Sequence, residues 1–168
     1  MLYLIGFMGV GKTAIGEQLA AQHNIKFIDT DREIEKTTNN KISEIFRKKG
    51  EDYFRELETR TLRKISKNTI VACGGGMPIY NKNMEFISES GVSIYLKASE
   101  NNIFTRLSGV SAERPLIYDK NNENLRHFIK KNLKKREKFY AMADYTIDTN
   151  NLSERNVLRK INSLPLTI

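Results

Sequence analysis

The sequence of 168 residues has few of the features that mark secreted, membrane-bound or metal-rich proteins. Its only cysteine, Cys73, cannot form an internal disulfide. No apolar run approaches the ~20 residues of a membrane span, and an apolar segment already starts at Leu2, which leaves no room for a signal peptide. The two histidines, His23 and His127, have no spacing typical of a metal or catalytic site. These absences predict a cytoplasmic protein.

The composition that remains is that of a globular domain. Hydrophobic residues make up 39% and charged residues 29%, and the length predicts one domain over residues 1–168. The net charge is +8, and most of it lies in Arg126–Lys138, where seven basic residues accompany one acid, Glu137. Such a cluster is either a nucleic-acid patch or the solvated face of a helix.

A segment near the N-terminus, Gly6–Thr13, fits the phosphate-binding loop pattern Gly-x4-Gly-Lys-Ser/Thr. Its glycines let backbone N–H groups cradle a polyphosphate, Lys12 would reach the β and γ phosphates, and the Thr13 hydroxyl would hold Mg²⁺. The apolar run Leu2–Ile5 precedes it and a helical pattern follows, so the order is strand, loop, helix. The alternative is a glycine-rich turn without a ligand. The predicted nucleotide-binding residues here are Gly9, Val10, Gly11, Lys12, Thr13 and Ala14.

Short apolar segments alternate with helical patterns along the whole chain. This order predicts an α/β protein with a five-stranded parallel sheet flanked by helices. The predicted strands are Leu2–Ile5, Phe27–Ile28, Thr69–Cys73, Val92–Leu96 and Tyr145–Ile147. The predicted helices are Thr13–His23, Asp31–Thr37, Ser43–Lys49, Glu51–Ser66, Lys82–Glu89, Glu100–Leu107, Glu123–Met142 and Glu154–Asn162. A polar segment over 108–122 is left without a regular pattern, which is typical of a functional or mobile loop.

Two carboxylates, Asp29 and Asp31, follow the second predicted strand. In an extended chain they would point to the same side, at the sheet edge where α/β proteins bind ligands. One could bind Mg²⁺ and the other could accept a proton from a substrate hydroxyl. The alternative for Asp31 is that it only caps the helix that begins at Arg32.

Two further motifs fit the same crevice. Arg55 and Glu58 share a helix face, so Arg55 could grip a carboxylate while Glu58 orients it; the alternative is a surface ion pair. The glycines 74–76 end the third strand, where backbone must pass close to a ligand or turn sharply; the alternative is a flexible turn.

The basic cluster lies on a helix with one apolar stripe. Arg136 is the exception among its basic residues, because it falls within ~20° of Ile129 on the inward side. A charge there needs an anionic partner, so Arg136 is predicted to be functional. In the polar loop, Arg114 could stabilise phosphoryl charge. The apolar stripe is Leu125, Ile129, Leu133 and Tyr140, and the outward lysines are Lys130, Lys131, Lys134, Lys135 and Lys138.

Together these segments resemble the shikimate kinases, over nearly the whole chain. The phosphate loop is common to a large superfamily of P-loop NTPases. The combination with Asp29-Thr30-Asp31, 54–58, 74–76, Arg114-Pro115-Leu116 and Arg136 with Tyr140 is much narrower. The resemblance implies a nucleoside monophosphate kinase-like fold with a mobile lid over 108–122. It also implies ATP- and Mg²⁺-dependent phosphorylation of the shikimate 3-hydroxyl, in the route to chorismate and the aromatic amino acids.

The resemblance also implies roles for single residues. Asp31 would hold the substrate hydroxyls and act as the base, Asp29 would lie near Mg²⁺, and Arg106 would stack on the adenine. The nucleotide side departs from the family pattern, for example in Met142, where an acidic residue is usual. The implied substrate-binding residues are Asp31, Arg55, Glu58, Gly74, Gly75, Gly76 and Arg136, with Phe46 and Phe54 as apolar walls; the implied catalytic residues are Lys12, Asp31 and Arg114.

Two alternatives remain on the sequence. The first is another small-metabolite kinase of the same superfamily, such as a gluconate kinase. The second is a nucleotide-gated or nucleic-acid-binding module that uses the basic cluster. The prediction is a monomeric enzyme whose partners are shikimate and ATP, without nucleic acid or membrane.

Overall fold

A parallel sheet forms the centre of the molecule in the computed structural model, which describes residues 1–108 and 121–166. Within these residues the sheet has five strands in the order β2-β3-β1-β4-β5, and every pair is parallel. This confirms the predicted fold class. The strands are β1 (Leu2–Ile5), β2 (Lys26–Asp29), β3 (Thr69–Ala72), β4 (Val92–Lys97) and β5 (Tyr145–Asp148).

The strands β1 and β3 consist mostly of apolar residues, because helices cover both faces of the sheet. All residues of β1 and of β3 are buried. In the register of the sheet, Leu4 of β1 lies between Ala72 of β3 and Ile94 of β4. The carboxyl ends of β1 and β3 therefore lie side by side, and the segments that follow them share one crevice.

Helices follow the strands as predicted, with ends shifted by only a few residues. The predicted break between Ser43–Lys49 and Glu51–Ser66 appears as a kink in one helix, where Gly50 has φ 82° and ψ 176°. The helices are α1 (Lys12–His23), α2 (Thr30–Thr38), α3 (Ile42–Lys64), α4 (Asn83–Ser90), α5 (Glu100–Ser108), α6 (Asn122–Tyr140) and α7 (Glu154–Asn162), with a short 3₁₀ turn over Met77–Ile79.

A small apolar cluster joins α2 to α3, separate from the main core. Its buried members are Ile34, Ile45 and Phe54. Phe46 packs on Phe54 with 4.7 Å between the ring centroids. The cluster fixes the face of α3 that carries Arg55, the residue next to Phe54.

The orientation of α6 agrees with the helical wheel. Its apolar stripe is buried, and Arg136 is buried with it at 5% exposure. The lysines at 130, 131, 134, 135 and 138 are all exposed. The basic cluster is thus a solvent-facing helix surface with one arginine turned inward.

The predicted lid over 108–122 falls almost entirely on residues 109–120, which lie outside the described residues, and so does Arg114. Among the helices that are described, none is long and apolar enough to cross a membrane.

Candidate active site

The phosphate-binding loop connects β1 to α1, as the motif predicts. Lys12 begins α1 and is 9% exposed, and its Nζ donates hydrogen bonds to the carbonyl oxygens of Gly6 and Phe7, both at 2.9 Å. The ammonium group and the N-terminus of α1 lie at the same place, where both favour an anion.

An open cleft of about 1120 Å³ runs along this loop. Its wall includes Lys12, Thr13, Asp29, Asp31 and Arg106. A cleft of this size can hold a nucleotide beside a small metabolite. The remaining predicted nucleotide-side residues, Gly9, Val10, Gly11 and Ala14, also line it, and so do Thr149 and Leu152, which the sequence analysis did not identify.

Arg106 reaches this cleft from α5. Its Nη1 donates to the carbonyl oxygen of Val10 at 3.1 Å, which ties α5 to the phosphate loop. This contact holds the guanidinium at the cleft wall, at the position from which stacking on a bound base is predicted.

Thr13 and Asp29 form an oxygen pair at the floor of the cleft. The Thr13 hydroxyl donates to Oδ2 of Asp29 at 2.6 Å. The other oxygen of Asp29 accepts from the backbone N–H groups of Asp31 and Arg32, at 3.0 and 3.2 Å. Asp29 is therefore the N-cap of α2, and the alternative that Asp31 caps this helix is wrong.

Asp31 lies in the first turn of α2, so the prediction that Asp29 and Asp31 point to the same side of an extended chain is also wrong. The chain becomes helical at Thr30, which frees the Asp31 carboxylate from capping. Its Oδ1 lies so close to Gly74 that a β-carbon on that glycine would be 2.5 Å away. Thr30 fixes this approach, because its hydroxyl accepts from the N–H of Gly74 at 2.8 Å.

Arg55 and Glu58 are buried, at 6% and 1% exposure, so the alternative of a surface ion pair is wrong. Nη1 of Arg55 donates to Glu58 Oε2 at 2.7 Å. On its other edge, Nε and Nη2 donate to Oε1 of Glu51 at 3.1 and 2.8 Å. The sequence analysis did not identify Glu51.

Burial raises the pKa of Glu58 to about 7, although Arg55 opposes the shift. The nearby charge of Asp31 raises it further, and that of Arg136 lowers it. Burial alone would lower the pKa of Arg55, but the charges and hydrogen bonds of Glu58 and Glu51 together outweigh it, and the pKa is raised. Arg55 therefore stays positively charged at the crevice, whereas the pKa of Glu58 lies near neutral pH.

The three glycines after β3 form a packed turn. The Tyr140 hydroxyl donates to the carbonyl oxygen of Gly75 at 2.5 Å, and burial raises the pKa of this phenol to about 12. At Gly76 a β-carbon would overlap Nη1 of Arg55, so this position requires glycine if Arg55 is to keep its place. The turn is held by its neighbours and is not a flexible connection.

Arg136 approaches the same turn from α6. Within the described residues its Nη1 is a buried nitrogen without a hydrogen-bond partner, and its Nη2 reaches only Asn132 Oδ1, at 3.5 Å. The guanidinium lies over Phe7, 5.2 Å from the ring centroid. A buried guanidinium with a nitrogen left unbonded is suited to receive an anion.

The two phenylalanines predicted as apolar walls have different environments. Phe54 is 4% exposed inside the small α2–α3 cluster, and its ring lies 5.4 Å from the guanidinium of Arg55. Phe46 is only partly buried and packs on that cluster. Phe54 therefore supports Arg55 from behind.

Comparison with known proteins agrees with this geometry. The model of the shikimate kinase family matches residues 8–164. The chain belongs to the shikimate kinase family. It is 41% identical to the shikimate kinase of Persephonella marina over 162 residues, which is 95% of both chains.

Solved structures of shikimate kinases have the same fold. The enzyme from Bacteroides thetaiotaomicron superposes with a TM-score of 0.91 at 32% identity, over 96% of this chain and 95% of the other. The enzyme from Acinetobacter baumannii, solved in complex with shikimate, gives 0.86 at 36% identity, over 96% and 89%.

Proposed function

We propose that the protein transfers the γ-phosphoryl group of ATP to the 3-hydroxyl of shikimate, giving 3-phosphoshikimate and ADP. The observation that carries the acceptor's identity is the pair of buried arginines, because Nη1 of Arg136 is buried without a hydrogen-bond partner among the described residues. A carboxylate on the acceptor supplies that partner. Family membership over residues 8–164 supports the same reaction.

The nucleotide half is assigned to the phosphate loop and its surroundings. Residues Gly9 to Ala14 cradle the phosphates, Lys12 neutralises their charge, and Arg106 takes the adenine. The adjacent oxygens of Thr13 and Asp29 fit Mg²⁺, which is usually held by one or two protein oxygens together with phosphates and water. When bound, the ion neutralises charge on the transferring phosphoryl group.

The acceptor half is assigned to the residues around the glycine turn after β3, where Asp31 and Gly75 reach the cleft. Arg55 and Arg136 hold the carboxylate of shikimate. Gly76 leaves room for the guanidinium of Arg55, and Glu58 orients that guanidinium. The backbone of Gly74 and Gly75 lines the same pocket, with Phe46 and Phe54 behind it. The substrate is thereby held at one end, which points its 3-hydroxyl toward the phosphate loop.

Asp31 is proposed as the base. Its carboxylate accepts the proton of the 3-hydroxyl as that oxygen bonds to the γ-phosphorus, while the bond from phosphorus to the β–γ bridging oxygen breaks and ADP leaves. Positioning and charge neutralisation supply the rest of the catalysis. The role of Arg114 and of a lid over 108–122 stays a prediction from the sequence.

A coupled assay of ADP release tests this function. Shikimate, quinate and gluconate are compared at equal concentrations with MgATP. We expect turnover with shikimate far above that with gluconate, which has no ring to fill the pocket. Turnover with gluconate alone would instead support the alternative metabolite kinase.

The remaining partner predictions are separate proposals. A monomer in the cytoplasm follows from the sequence, and size-exclusion chromatography with light scattering tests the monomer. The exposed lysines of α6 are proposed to have no nucleic-acid partner. Salt-dependent binding of nucleic acid that is lost when Lys130, Lys131, Lys134 and Lys135 are neutralised would overturn that proposal.

A further inference from the structure

Arg55 is enclosed on more sides than the ion pair with Glu58 accounts for. Glu58 takes Nη1, and Glu51 takes Nε and Nη2. The aromatic ring of Tyr80 covers one face of the guanidinium, with its centroid 4.3 Å from Cζ. This is a short distance for a cation over an aromatic ring.

Tyr80 and Glu51 also contact each other. The Tyr80 hydroxyl donates to Oε1 of Glu51 at 3.2 Å, the same oxygen that accepts from Arg55. The hydrogen bond from Arg55 is the main cause that lowers the pKa of Glu51, so Glu51 stays charged at neutral pH. The tyrosine, the glutamate and the arginine form a closed set of contacts at the rim of the acceptor half.

The chain after the glycine turn is anchored to α3 next to this set. The side-chain amide of Asn81 donates to the carbonyl oxygen of Arg55 at 3.3 Å and to the Thr59 hydroxyl at 3.0 Å. Tyr80 therefore belongs to a segment that is tied to the same turn of α3 that carries Arg55. This anchoring keeps the backbone of Tyr80 beside Arg55.

The two arginines of the acceptor half differ in how firmly other side chains hold them before a ligand binds. Arg136 has a nitrogen without a partner, whereas Arg55 is already held on both edges and one face. Fixing a flexible side chain before the ligand arrives removes an entropy cost from binding. A guanidinium oriented in advance presents its remaining N–H groups in one direction.

We propose that Tyr80 and Glu51 are positioning residues that hold Arg55 in the orientation that receives the acceptor's carboxylate. This rests on the proposed function for the identity of the acceptor. Neither residue touches the reacting atoms.

The test uses the variants Tyr80→Ala, Tyr80→Phe and Glu51→Gln in the full-length protein. Tyr80→Ala is expected to raise the shikimate KM about tenfold, the size of effect typical of a desolvated cation–π contact, with the ATP KM within about twofold of wild type. Tyr80→Phe keeps the ring and should restore most of this loss. Glu51→Gln weakens a charge-assisted bond and should raise the shikimate KM by about threefold.

The chain offers a matched control in Tyr53, on the same helix as Arg55 and 40% exposed. Tyr53→Ala should leave both KM values unchanged. A shikimate KM that is unchanged in Tyr80→Ala, an equal change in the ATP KM, or a Tyr80→Phe variant as impaired as Tyr80→Ala would each overturn the proposal.

A second readout does not depend on turnover. The Nε–H proton of Arg55, bonded to Glu51 in wild type, should give a protected NMR signal that exchanges faster with water in Tyr80→Ala and in Glu51→Gln. Unchanged exchange in both variants would overturn the positioning role. Failure of wild type to phosphorylate shikimate would overturn the proposed function instead, and the NMR result would still report on Arg55.

Discussion

The nucleotide half and the acceptor half of the proposed site are built in different ways. The first is one continuous stretch of chain, Gly6–Thr13, whose backbone and single lysine form an anion site at the start of α1. The second takes side chains from α2, α3 and α6 and a glycine turn after β3. A local motif therefore identifies the phosphate donor, whereas the acceptor is recognised only where distant segments meet.

The cations of the two halves are also satisfied differently. Lys12 is held by two carbonyl oxygens of its own loop. Arg55 is held by two carboxylates of its own helix, and Arg136 is buried with a nitrogen left over. Among the described residues, the buried nitrogen without a hydrogen-bond partner lies in the proposed acceptor half, where an anionic substrate would supply the partner.

The largest expected effect lies at Asp31, between the two halves. Asp31→Asn keeps the shape of the side chain but removes the proton acceptor, so kcat should fall by about 10²- to 10⁴-fold with both KM values little changed. The backbone of α2 should be unaffected, because Asp29 caps this helix. Steady-state kinetics with circular dichroism as the folding control measures this. Retention of more than about a tenth of wild-type kcat would show that Asp31 is not the base.

The second largest effect is expected at Arg136 and concerns the use of shikimate and not of ATP. Arg136→Ala should lower kcat/KM for shikimate by about 10²-fold, the loss expected when one partner of a buried charge pair is removed, and should spare the ATP KM. It should not lower the melting temperature much, because Arg136 has few partners to lose. Lys134→Ala on the exposed face of α6 is the control. A change confined to the ATP KM would contradict the assignment of Arg136 to the acceptor half.

Two glycine substitutions, one in each half, should each impair the use of a different substrate. Gly76→Ala pushes against Arg55 and should lower kcat/KM for shikimate by about tenfold, since each ~1.4 kcal/mol of lost contact is a factor of ten. Gly11 has φ 97° but open space around it, so Gly11→Ala strains only the phosphate loop and should raise the ATP KM. Kinetics with each substrate varied in turn measures both, and a shift of the same parameter in both variants would break the distinction between the halves.

The smallest effect concerns stability and pH. Glu58 has a pKa raised to about 7 by burial, so the folded state binds its proton more tightly than the unfolded chain, whose pKa is near 4.5. This contribution to stability is fully present below pH 4.5 and is lost as the pH rises through about 7. Urea denaturation at pH 5 and pH 8 should show that wild type loses more stability over this interval than Glu58→Gln does. Parallel losses in the two proteins would mean that Glu58 is already ionised at pH 5.

Much of the fold was predictable, because its strands and helices are set by short-range patterns. The strand β1 is a continuous apolar run and β3 is apolar after Thr69, and the kink of α3 lies at the glycine that separated the two predicted helices. The inward position of Arg136 was predictable too, since a helical wheel needs only the sequence of α6.

Other features could not be predicted from local patterns. Asp31 was the candidate cap of a helix beginning at Arg32, but the cap is Asp29, because the helix begins two residues earlier, at Thr30. The burial of the Arg55–Glu58 pair could not be predicted, since spacing along a helix says nothing about burial. Glu51 has the i,i+4 spacing for a pair with Arg55 on α3, but Tyr80 carried no signal, because its contacts join α3 to a distant turn.

The sequence by itself determined the phosphate loop, the order of strands and helices, and the set of residues that identify the family. These depend on neighbours within a few positions along the chain, which set backbone geometry and amphipathic faces. Only the tertiary structure decided which charges are buried, which of the two aspartates caps α2, and what holds Arg55. Burial depends on segments far apart in sequence, and parallel β1 and β3 bring those segments to one end of the sheet.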